Sequence, residues 1–559
     1  MLHKLNARFP VRYTVFGLCV LALLGCMAVL GVRGGGAGLA LLLAVLLVLV
    51  ALGLYDLMQS RRSILRNYPI IGHLRYMLEF VRPEMRQYFL ESDSEAAPFS
   101  RSQRSLVYQR AKGESDLRPF GTLYDVRAEG YEWVNHAMVP TVLASHDFRI
   151  WIGGTPEQAA GRDAASGLCT QPYHASVFNI SGMSFGALSA NAILSLNAGA
   201  KEGGFAHDTG EGSISVHHRR HGGDLIWQIA SGYFGCRSDD GHFDPERFVV
   251  NARDPQVKMI EIKLSQGAKP GHGGVLPGAK VTPEIAHARG VPVGVDCVSP
   301  SAHSAFTTPI EMMQFLARLR TLSGGKPIGF KLCIGHPWEW FSIVKAMLHT
   351  GITPDFIVVD GAEGGTGAAP VEFTNHVGSP LQEGLMMVHN TLRGVGLRNR
   401  IRIGCAGKVI SAFDIVRMIA LGADWCNSGR GYMFALGCVQ AQTCHTGNCP
   451  TGVTTQDPLR QKSLVVPDKA RRVFNYHAMT LHALKEMVQA AGLVHPSDIT
   501  AHHIVRRAAD GKVGSLAQLV LTQLHDGALL QSDLSGLPLI YRQSWPQARA
   551  ETFTLQKTA

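Results

Sequence analysis

Three cysteines lie close together in the segment GCVQAQTCHTGNCPTGVTTQDP, which begins at Gly437. Cys438, Cys444 and Cys449 are separated by five and then four residues. Thiolates are soft ligands that bind iron–sulfur clusters and zinc. Three thiolates suit a cluster that lacks one iron corner, and the segment contains no fourth cysteine. With His445 the same thiols could instead complete a zinc site, so these residues leave both chemistries open.

Glycine-rich segments farther along the chain have the character of phosphate-binding loops. Backbone N–H groups at Gly407, Gly429 and Gly431 could approach an anion closely, and Arg430 would add a planar fork of donors. Glycine also occurs in such loops for turn geometry alone, which is the alternative interpretation.

These residues need a scaffold that brings distant loops together. From about residue 175, short apolar runs alternate with helical patterns such as 309–322 and 411–421, which predicts parallel β–α units. The eight predicted strands are 176–181, 204–208, 257–264, 292–298, 327–333, 355–360, 400–405 and 424–428. They predict an α/β fold, a (β/α)8 TIM barrel with a long insertion between its second and third strands. In that fold the chemistry lies on loops after the strands, which is where the glycine-rich segments fall.

Two apolar runs, 13–32 and 37–55, predict a transmembrane helical hairpin within residues 1–57. They contain 20 and 19 uncharged residues, enough for a helix to cross roughly 30 Å of hydrocarbon. Basic residues flank both ends of the hairpin, which predicts that the ends and the catalytic domain lie on the cytoplasmic side of the cell membrane. A cleaved signal peptide is the alternative.

Composition restricts the remaining classes. Eleven cysteines at irregular spacing do not resemble a secreted disulfide framework, so we expect a reducing compartment. The net charge of +10 is modest for 559 residues and is dispersed, so nucleic acid is not an expected partner. Residues 58–174 show no catalytic constellation and are interpreted as a connecting and capping region. Residues 481–559 predict a mainly helical C-terminal extension.

Six ordered motifs resemble the FMN-binding synthase domain of the glutamate synthase family. Within residues 175–480 they are SGMSFGALS, DTGEGSIS, IEIKLSQGAKPGHGGVLPGAKVTPEIA, GVDCVSP, GAEGGTGAAP and ALGCVQAQTCHTGNCPTGVTTQDP. The resemblance implies an FMN-binding barrel that makes L-glutamate from 2-oxoglutarate and ammonia by reducing 2-iminoglutarate. It also implies that Cys438, Cys444 and Cys449 hold a 3Fe–4S cluster through which electrons reach FMN.

Residue roles carry over where the motifs match. Lys331 resembles the family lysine that contacts the flavin, with a strand-end salt bridge as the alternative. Glu211 is similar to a glutamate near substrate and flavin, with a solvated loop carboxylate as the alternative. Gln266, Lys269 and Arg289 align with residues that bind 2-oxoglutarate. The resemblance implies that the cofactor-binding residues are Met183, Ser184, Lys331, Gly364, Gly365, Thr366, Gly367, Gly407, Gly429 and Arg430.

The chain also departs from the family pattern. His272 replaces an acidic residue, Val275 replaces a glutamine, and a loop written ADGG in the family is CAGK at 405–408, with one glycine missing. The family's glutaminase domain and a dinucleotide-binding fingerprint are not recognised. We therefore expect ammonia from a separate amidotransferase and electrons from a separate donor protein.

Two other functions stay open. One is a related amine-transferring enzyme that handles an N-substituted glutamate. The other is a membrane-associated flavin and iron–sulfur electron-transfer subunit. Gln266, Lys269 and Arg289 favour an enzyme, whereas the apolar hairpin favours the electron carrier.

Overall fold

The computed structural model describes residues 11–92, 94, 97–163 and 167–555, and the chain divides into two compact units, 1–101 and 102–559. In the first unit the helices Thr14–Arg33 and Ala37–Met58 pack against each other, and the ring of Phe16 fills the space beside Gly53. The predicted apolar runs are therefore helical. By length and composition, Val11–Arg33 and Ala37–Met58 could each cross a membrane.

The second of these helices ends at a buried carboxylate. Asp56 is fully buried; it accepts a hydrogen bond from the backbone N–H of Ile70 and lies 2.9 Å from His73 Nε2. This contact fixes the chain where it turns back after the hairpin. The elements that follow in this unit are the helices Ser63–Asn67 and Gly72–Met85 and the π-helical turn Arg86–Leu90.

Eight parallel strands of the second unit form a closed barrel. They are β1 (Phe178–Ile180), β2 (His207–Asp208), β3 (Leu225–Ile229), β4 (Val257–Lys263), β5 (Ile328–Leu332), β6 (Phe356–Asp360), β7 (Arg402–Ala406) and β8 (Trp425–Ser428). Nearly all their residues are buried, as expected for parallel strands covered on both faces. The predicted (β/α)8 barrel is confirmed.

One predicted barrel strand is wrong and one was missed. In the segment 292–298 only Cys297–Val298 is extended, and it pairs antiparallel with Val275–Leu276 outside the barrel. Val293 and Val295 are more than half exposed, which a strand covered on both faces does not allow. The missed strand is β3, so no long insertion separates the second and third strands. The long excursion instead connects β4 to β5.

Helices surround the barrel in the expected alternation, and the predicted helices 309–322 and 411–421 are confirmed as Pro309–Leu322 and Ala412–Ala420. Thr308 and Ser411 each begin one of them in a capping box, with Glu311 and Asp414 as the reciprocal partners. The other helices from β1 to the end of the barrel are Ala190–Gly203, Val216–Arg219, Pro245–Ala252, Pro283–Arg289, Pro337–Thr350, Val371–His376, Leu381–Gly394 and Arg430–Leu436, with a 3₁₀ turn at Gly278–Lys280.

The remaining elements cover the barrel from both termini of this unit. The long helix Val466–Ala490 packs on Ala190–Gly203, where Gly199 allows close approach to the carbonyl of Ala470. Glu132–Val134 pairs antiparallel with Ile504–Arg507, which pairs with Val513–Ser515. Arg149–Ile152 pairs with Tyr173–Ser176. The other helical segments are Arg101–Lys112, Pro156–Ala159, Pro458–Gln461, Pro496–Asp498, Leu516–Leu519, Ala528–Leu530 and Leu539–Ser544.

Candidate functional site

The loops that follow the barrel strands meet at the carboxyl end of the barrel. The loops after β4 and β6 touch at Gly267, where a Cβ atom would overlap the carbonyl oxygen of Gly361. Asp360, at the end of β6, accepts a hydrogen bond of 2.9 Å from the Gly267 N–H. The loops after β1 and β2 touch at Gly210, where a Cβ would lie 2.6 Å from the Ser184 nitrogen. The motifs found along the sequence therefore share one mouth.

A cationic pocket lies on the β2–β4 side of this mouth. Lys263, at the end of β4, places Nζ 3.0 Å from Glu211 Oε2 and donates to Gln266 Oε1 at 2.5 Å. Lys269 Nζ donates to the carbonyl of Gly273 at 3.0 Å. The predicted substrate-binding residues are Gln266, Lys269 and Arg289, and the structure brings them together around Lys263 and Glu211.

Arg289 is fixed in this pocket by its surroundings. Only 5% of the residue is exposed, its guanidinium donates to the Phe185 carbonyl at 3.1 Å, and it lies 5.1 Å above the ring of Phe234. Its Nε has no hydrogen-bond partner among the residues that the structure describes. A buried donor of this kind is available to an incoming acceptor.

Glu211 is held as a carboxylate by its neighbours. Burial raises its pKa, but Lys263, Lys269 and Arg289 outweigh burial, and the pKa of Glu211 is lowered overall. The side chain is 18% exposed and ion-paired, so it is not a freely solvated loop carboxylate. Gly274 leaves room for it, because a Cβ there would lie 2.8 Å from Glu211 Oε1.

Lys331 lies inside the barrel on β5, and only 5% of the residue is exposed. Its Nζ is 3.4 Å from Asp360 Oδ2, so an ion pair of the kind expected as the alternative is present. Burial opposes the ammonium form, but Asp360, Glu261 and Asp208 outweigh it and raise the pKa of Lys331. The lysine is therefore a fixed positive charge in the barrel interior.

The predicted phosphate-loop residues lie on the β6–β8 side. A Cβ at Gly365 would be 3.2 Å from the guanidinium of Arg430, and one at Gly429 would be 3.7 Å from Met183 Sδ. Gly407 faces the side chains of Leu381 and Glu363. Gly365, Gly429, Arg430 and Met183 are thus neighbours.

Lys408 occupies the position of the glycine that the family loop has and this chain lacks. Its φ of 54° is left-handed, a conformation that glycine adopts without strain. The loop after β7 therefore keeps the backbone conformation of a glycine and adds a cationic side chain.

The cysteine loop begins where the helix Arg430–Leu436 ends, at Gly437 in a left-handed conformation. The carbonyl of Cys438 accepts a 2.6 Å hydrogen bond from the Tyr108 hydroxyl, and the carbonyl of Cys444 accepts one of 2.8 Å from Lys280 Nζ. Gly367 lies against this loop, since a Cβ there would be 3.1 Å from Cys444 Cβ. The cysteine loop therefore borders the loop after β6.

The three thiols differ in their environments. Burial is the main cause that raises the pKa of Cys438 to about 11, and the charges of Cys444 and Cys449 contribute to the same rise. Burial also opposes ionisation of Cys449, but hydrogen bonds from Thr451 and Thr454 lower its pKa to about 7. Within the described ranges, no three His, Cys, Asp or Glu side chains are grouped so as to hold one metal ion.

Sequence reasoning missed three residues of this site. Lys263 lies within a quoted motif, but its pairing with Glu211 depends on the β2 and β4 loops meeting. Lys280 and Tyr108 reach the cysteine loop from segments to which no role was assigned. The signal for Lys280 was its place in the quoted motif that ends at Ala286, whereas nothing in the sequence marks Tyr108.

Comparison with known proteins identifies the family. A family model described as a conserved region in glutamate synthase matches residues 168–494. The glutamate synthase large subunit-like protein YerD of Bacillus subtilis is 37% identical over 498 residues, which are 83% of this chain and 94% of that protein. The chain belongs to the glutamate synthase family. It is a glutamate-synthase-type oxidoreductase.

Another relative matches a smaller share of the chain. The archaeal-type glutamate synthase (NADPH) of Thermotoga neapolitana is 38% identical over 312 residues, 56% of this chain and 58% of that protein. Among solved structures, a mutant flavocytochrome b2 with pyruvate bound covers 82% of this chain and 89% of its own, at 12% identity and a TM-score of 0.41. A mandelate oxidase mutant with a monooxide FMN adduct covers 76% and 97% at 14% identity and a TM-score of 0.38.

Proposed function

We propose that this member of the glutamate synthase family forms L-glutamate from 2-oxoglutarate and ammonia, using FMN and a 3Fe–4S cluster. The observation that carries the proposal is the charge of the pocket between β2 and β4. Lys263, Lys269 and Arg289 are three cations around the single carboxylate of Glu211, which leaves a net charge of two positive units. A dicarboxylate with two negative charges matches that excess.

The pocket residues have distinct roles in this reaction. Arg289 holds one carboxylate with its unused Nε–H, and Lys269 holds the other. Glu211, kept ionised, accepts the proton that ammonium must lose before its nitrogen attacks the keto carbon. Lys263 positions Glu211 at 3.0 Å and supplies a proton when water leaves to form 2-iminoglutarate.

The mouth fits FMN by the chemistry of its loops. Gly407, Gly429 and Arg430 would hold the phosphate, while Met183, Ser184 and the segment 364–367 would line the ring. Lys331 would place a positive charge beside the ring. When bound, FMN supplies the two electrons that reduce the imine.

The cysteine loop fits a cluster by its donor set, since Cys438, Cys444 and Cys449 lie near enough for their charges to interact. A 3Fe–4S cluster there supplies one-electron transfer. Replacing Cys438 by Ser removes a soft ligand, so the variant should lose iron and acid-labile sulfide. Wild-type protein that contains zinc with neither iron nor acid-labile sulfide would support the zinc site with His445 and contradict the cluster.

We infer that the two apolar helices anchor the protein in the cell membrane with its barrel in the cytoplasm. A separate protein then donates electrons, and a separate amidotransferase supplies ammonia when glutamine is the nitrogen source. The proposed anchor predicts that the full chain resists carbonate extraction and that a C-terminal reporter is active only in the cytoplasm. Release by carbonate would contradict it.

The direct test is glutamate formation by the purified chain under anaerobic reducing conditions. Turnover is expected with 2-oxoglutarate and ammonia, and with glutamine only after an amidotransferase is added. Replacing Lys269 by Met removes a charged hydrogen bond worth about 1.5–3 kcal/mol, so KM for 2-oxoglutarate should rise roughly 10- to 150-fold. Lys462→Met, at an exposed position, is the matched control.

The outcomes separate the three candidate functions. Inactivity with both nitrogen donors, together with flavin reoxidation by an N-substituted glutamate precursor, would support the related amine-transferring enzyme. Inactivity with every amine substrate, together with electron transfer to a membrane acceptor, would support the electron-transfer subunit.

A further inference from the structure

Five successive barrel strands place polar side chains in the barrel interior below the mouth. Asp208 is on β2, Gln228 on β3, Glu261 on β4, Lys331 on β5 and Asp360 on β6. All five are buried, and Glu261 is completely inaccessible. This interior cluster shares no residue with the cationic pocket that contains Glu211, although Lys263 of that pocket acts on Asp208.

The hydrogen bonds of the interior cluster are unequal. Gln228 Nε2 donates to Glu261 Oε1 at 2.7 Å and to Asp208 Oδ2 at 3.4 Å, so it links the two carboxyls. Asp208 and Asp360 each accept a 2.9 Å hydrogen bond from a loop backbone N–H. Glu261 Oε2 has no partner in the part of the chain that the structure describes. Glu261 is therefore the least stabilised of the three as a carboxylate.

The charges of the cluster do not balance when all groups ionise. Three carboxylates and the Lys331 ammonium would leave two uncompensated negative charges, and buried charge without a partner is costly. Asp360 takes the ion pair with Lys331. Asp208 and Glu261 instead share the side-chain amide of Gln228 as their common hydrogen-bond donor.

The charged groups that face this pair act in opposite directions. Burial raises the pKa of Asp208, Lys331 and Lys263 lower it, and Asp360 raises it. Burial and the charges of Asp208 and Asp360 raise the pKa of Glu261, whereas the charge of Lys331 lowers it. Both carboxyls bind a proton more tightly than they would in water.

We propose that Asp208 and Glu261, joined by Gln228, hold an exchangeable proton inside the barrel, and that its occupancy responds to the charge bound beside Lys331. The link to bound charge rests on the proposed FMN site. Two-electron reduction of bound FMN by dithionite would add negative charge beside Lys331, and the Lys331 ammonium would then stabilise the interior carboxylates less. The Asp208–Glu261 pair, which is partly protonated before reduction, then takes up the remaining fraction of its proton from solvent, and no other bond of the chain changes.

The test is proton uptake by the holoenzyme during anaerobic reduction with dithionite, followed with a pH indicator in weak buffer. Wild type should take up more protons per flavin reduced than Glu261→Gln, which keeps the shape and the hydrogen bond from Gln228 but cannot titrate. Asp208→Asn should show the same loss and serves if the first variant folds poorly. Glu339→Gln is the control, because Glu339 is a half-buried carboxyl outside the cluster whose pKa is also raised by burial. Equal uptake by wild type, Glu261→Gln and Asp208→Asn would overturn the proposal.

A second measurement does not depend on flavin or on glutamate formation. The infrared spectrum of the wild-type chain should contain a protonated carboxyl band that shifts in D₂O and is lost in Glu261→Gln but retained in Glu339→Gln. If Glu261→Gln keeps the protonated carboxyl band, the proposed proton site itself is overturned. If the band is lost in Glu261→Gln as expected but the wild-type protein makes no glutamate, only the proposed function is overturned.

Discussion

Replacing Gly267 by Ala should separate the two loops that meet at the barrel mouth. The new Cβ would overlap the carbonyl oxygen of Gly361 and lie 3.1 Å from the nitrogen of Ala362. Both obstacles are backbone atoms, so no rotamer change relieves the overlap. The loops are also held in place, because Gly267 N–H donates to Asp360 and Gly361 N–H donates to the Ala406 carbonyl at 2.8 Å.

The magnitude follows from two opposing effects. Overpacking of this kind costs about 1–3 kcal/mol. Alanine has less conformational freedom than glycine in the unfolded chain, which offsets this destabilisation by about 0.4–1 kcal/mol. The net destabilisation of about 1–2 kcal/mol would lower Tm by at most roughly 2–8 °C. Because Gln266 and Lys269 move with their loop, retention of FMN and affinity for 2-oxoglutarate should fall as well.

The assay compares thermal unfolding and bound FMN in the full chain with those of Gly536→Ala. A Cβ at Gly536 meets no atom within 4 Å, and the position has no left-handed φ, so this control isolates the overlap. If Gly267→Ala matches Gly536→Ala in both Tm and FMN content, the loops do not meet as described and the reasoning is refuted.

Three further changes test other parts of the structure. Arg320→Lys loses the guanidinium that donates to Asp355 and to two backbone carbonyls, so Tm should fall. The control Arg400→Lys, at an exposed position, should leave Tm unchanged. Equal Tm values for the two variants would contradict the stabilising role of Arg320. Lys263→Met removes the positive charge that lowers the pKa of Glu211 most, so the acid limb of the pH–rate profile should move to higher pH. An acid limb that does not move would contradict the ion pair of Lys263 with Glu211. The pKa of Glu261 is higher in the folded than in the unfolded chain, so its contribution to stability is lost as pH rises from the unfolded to the folded pKa. Tm should therefore depend less on pH in Glu261→Gln than in wild type. Equal slopes of Tm against pH would contradict the raised pKa.

The sequence predicted the barrel because seven of its strands are short apolar runs bounded by turns. The eighth, LIWQI at 225–229, has the same texture but was not predicted, and PVGVDCV at 292–298 took its place among the eight predicted strands. Burial distinguishes the two segments: every residue of LIWQI is buried, whereas the valines of the second segment face solvent. Periodicity in one chain does not contain that information.

The site was predictable to the extent that the motifs identify its residues, and no further. Glu211 and Arg289 are far apart in the sequence, and only the meeting of the β2 and β4 loops brings the charges of Lys263 and Arg289 close to Glu211. The interior cluster was invisible for the same reason. Asp208, Gln228 and Glu261 become neighbours through the registers of adjacent strands, which depend on closure of the barrel.

The cysteine loop is held through its backbone, and this has a consequence for how a metal centre would be installed. Tyr108 and Lys280 bind the carbonyls of Cys438 and Cys444, and neither bond involves a sulfur atom. Small metal domains fold only when their metal binds. Here two hydrogen bonds that involve no sulfur atom position the loop, so its backbone would not depend on metal ligation alone.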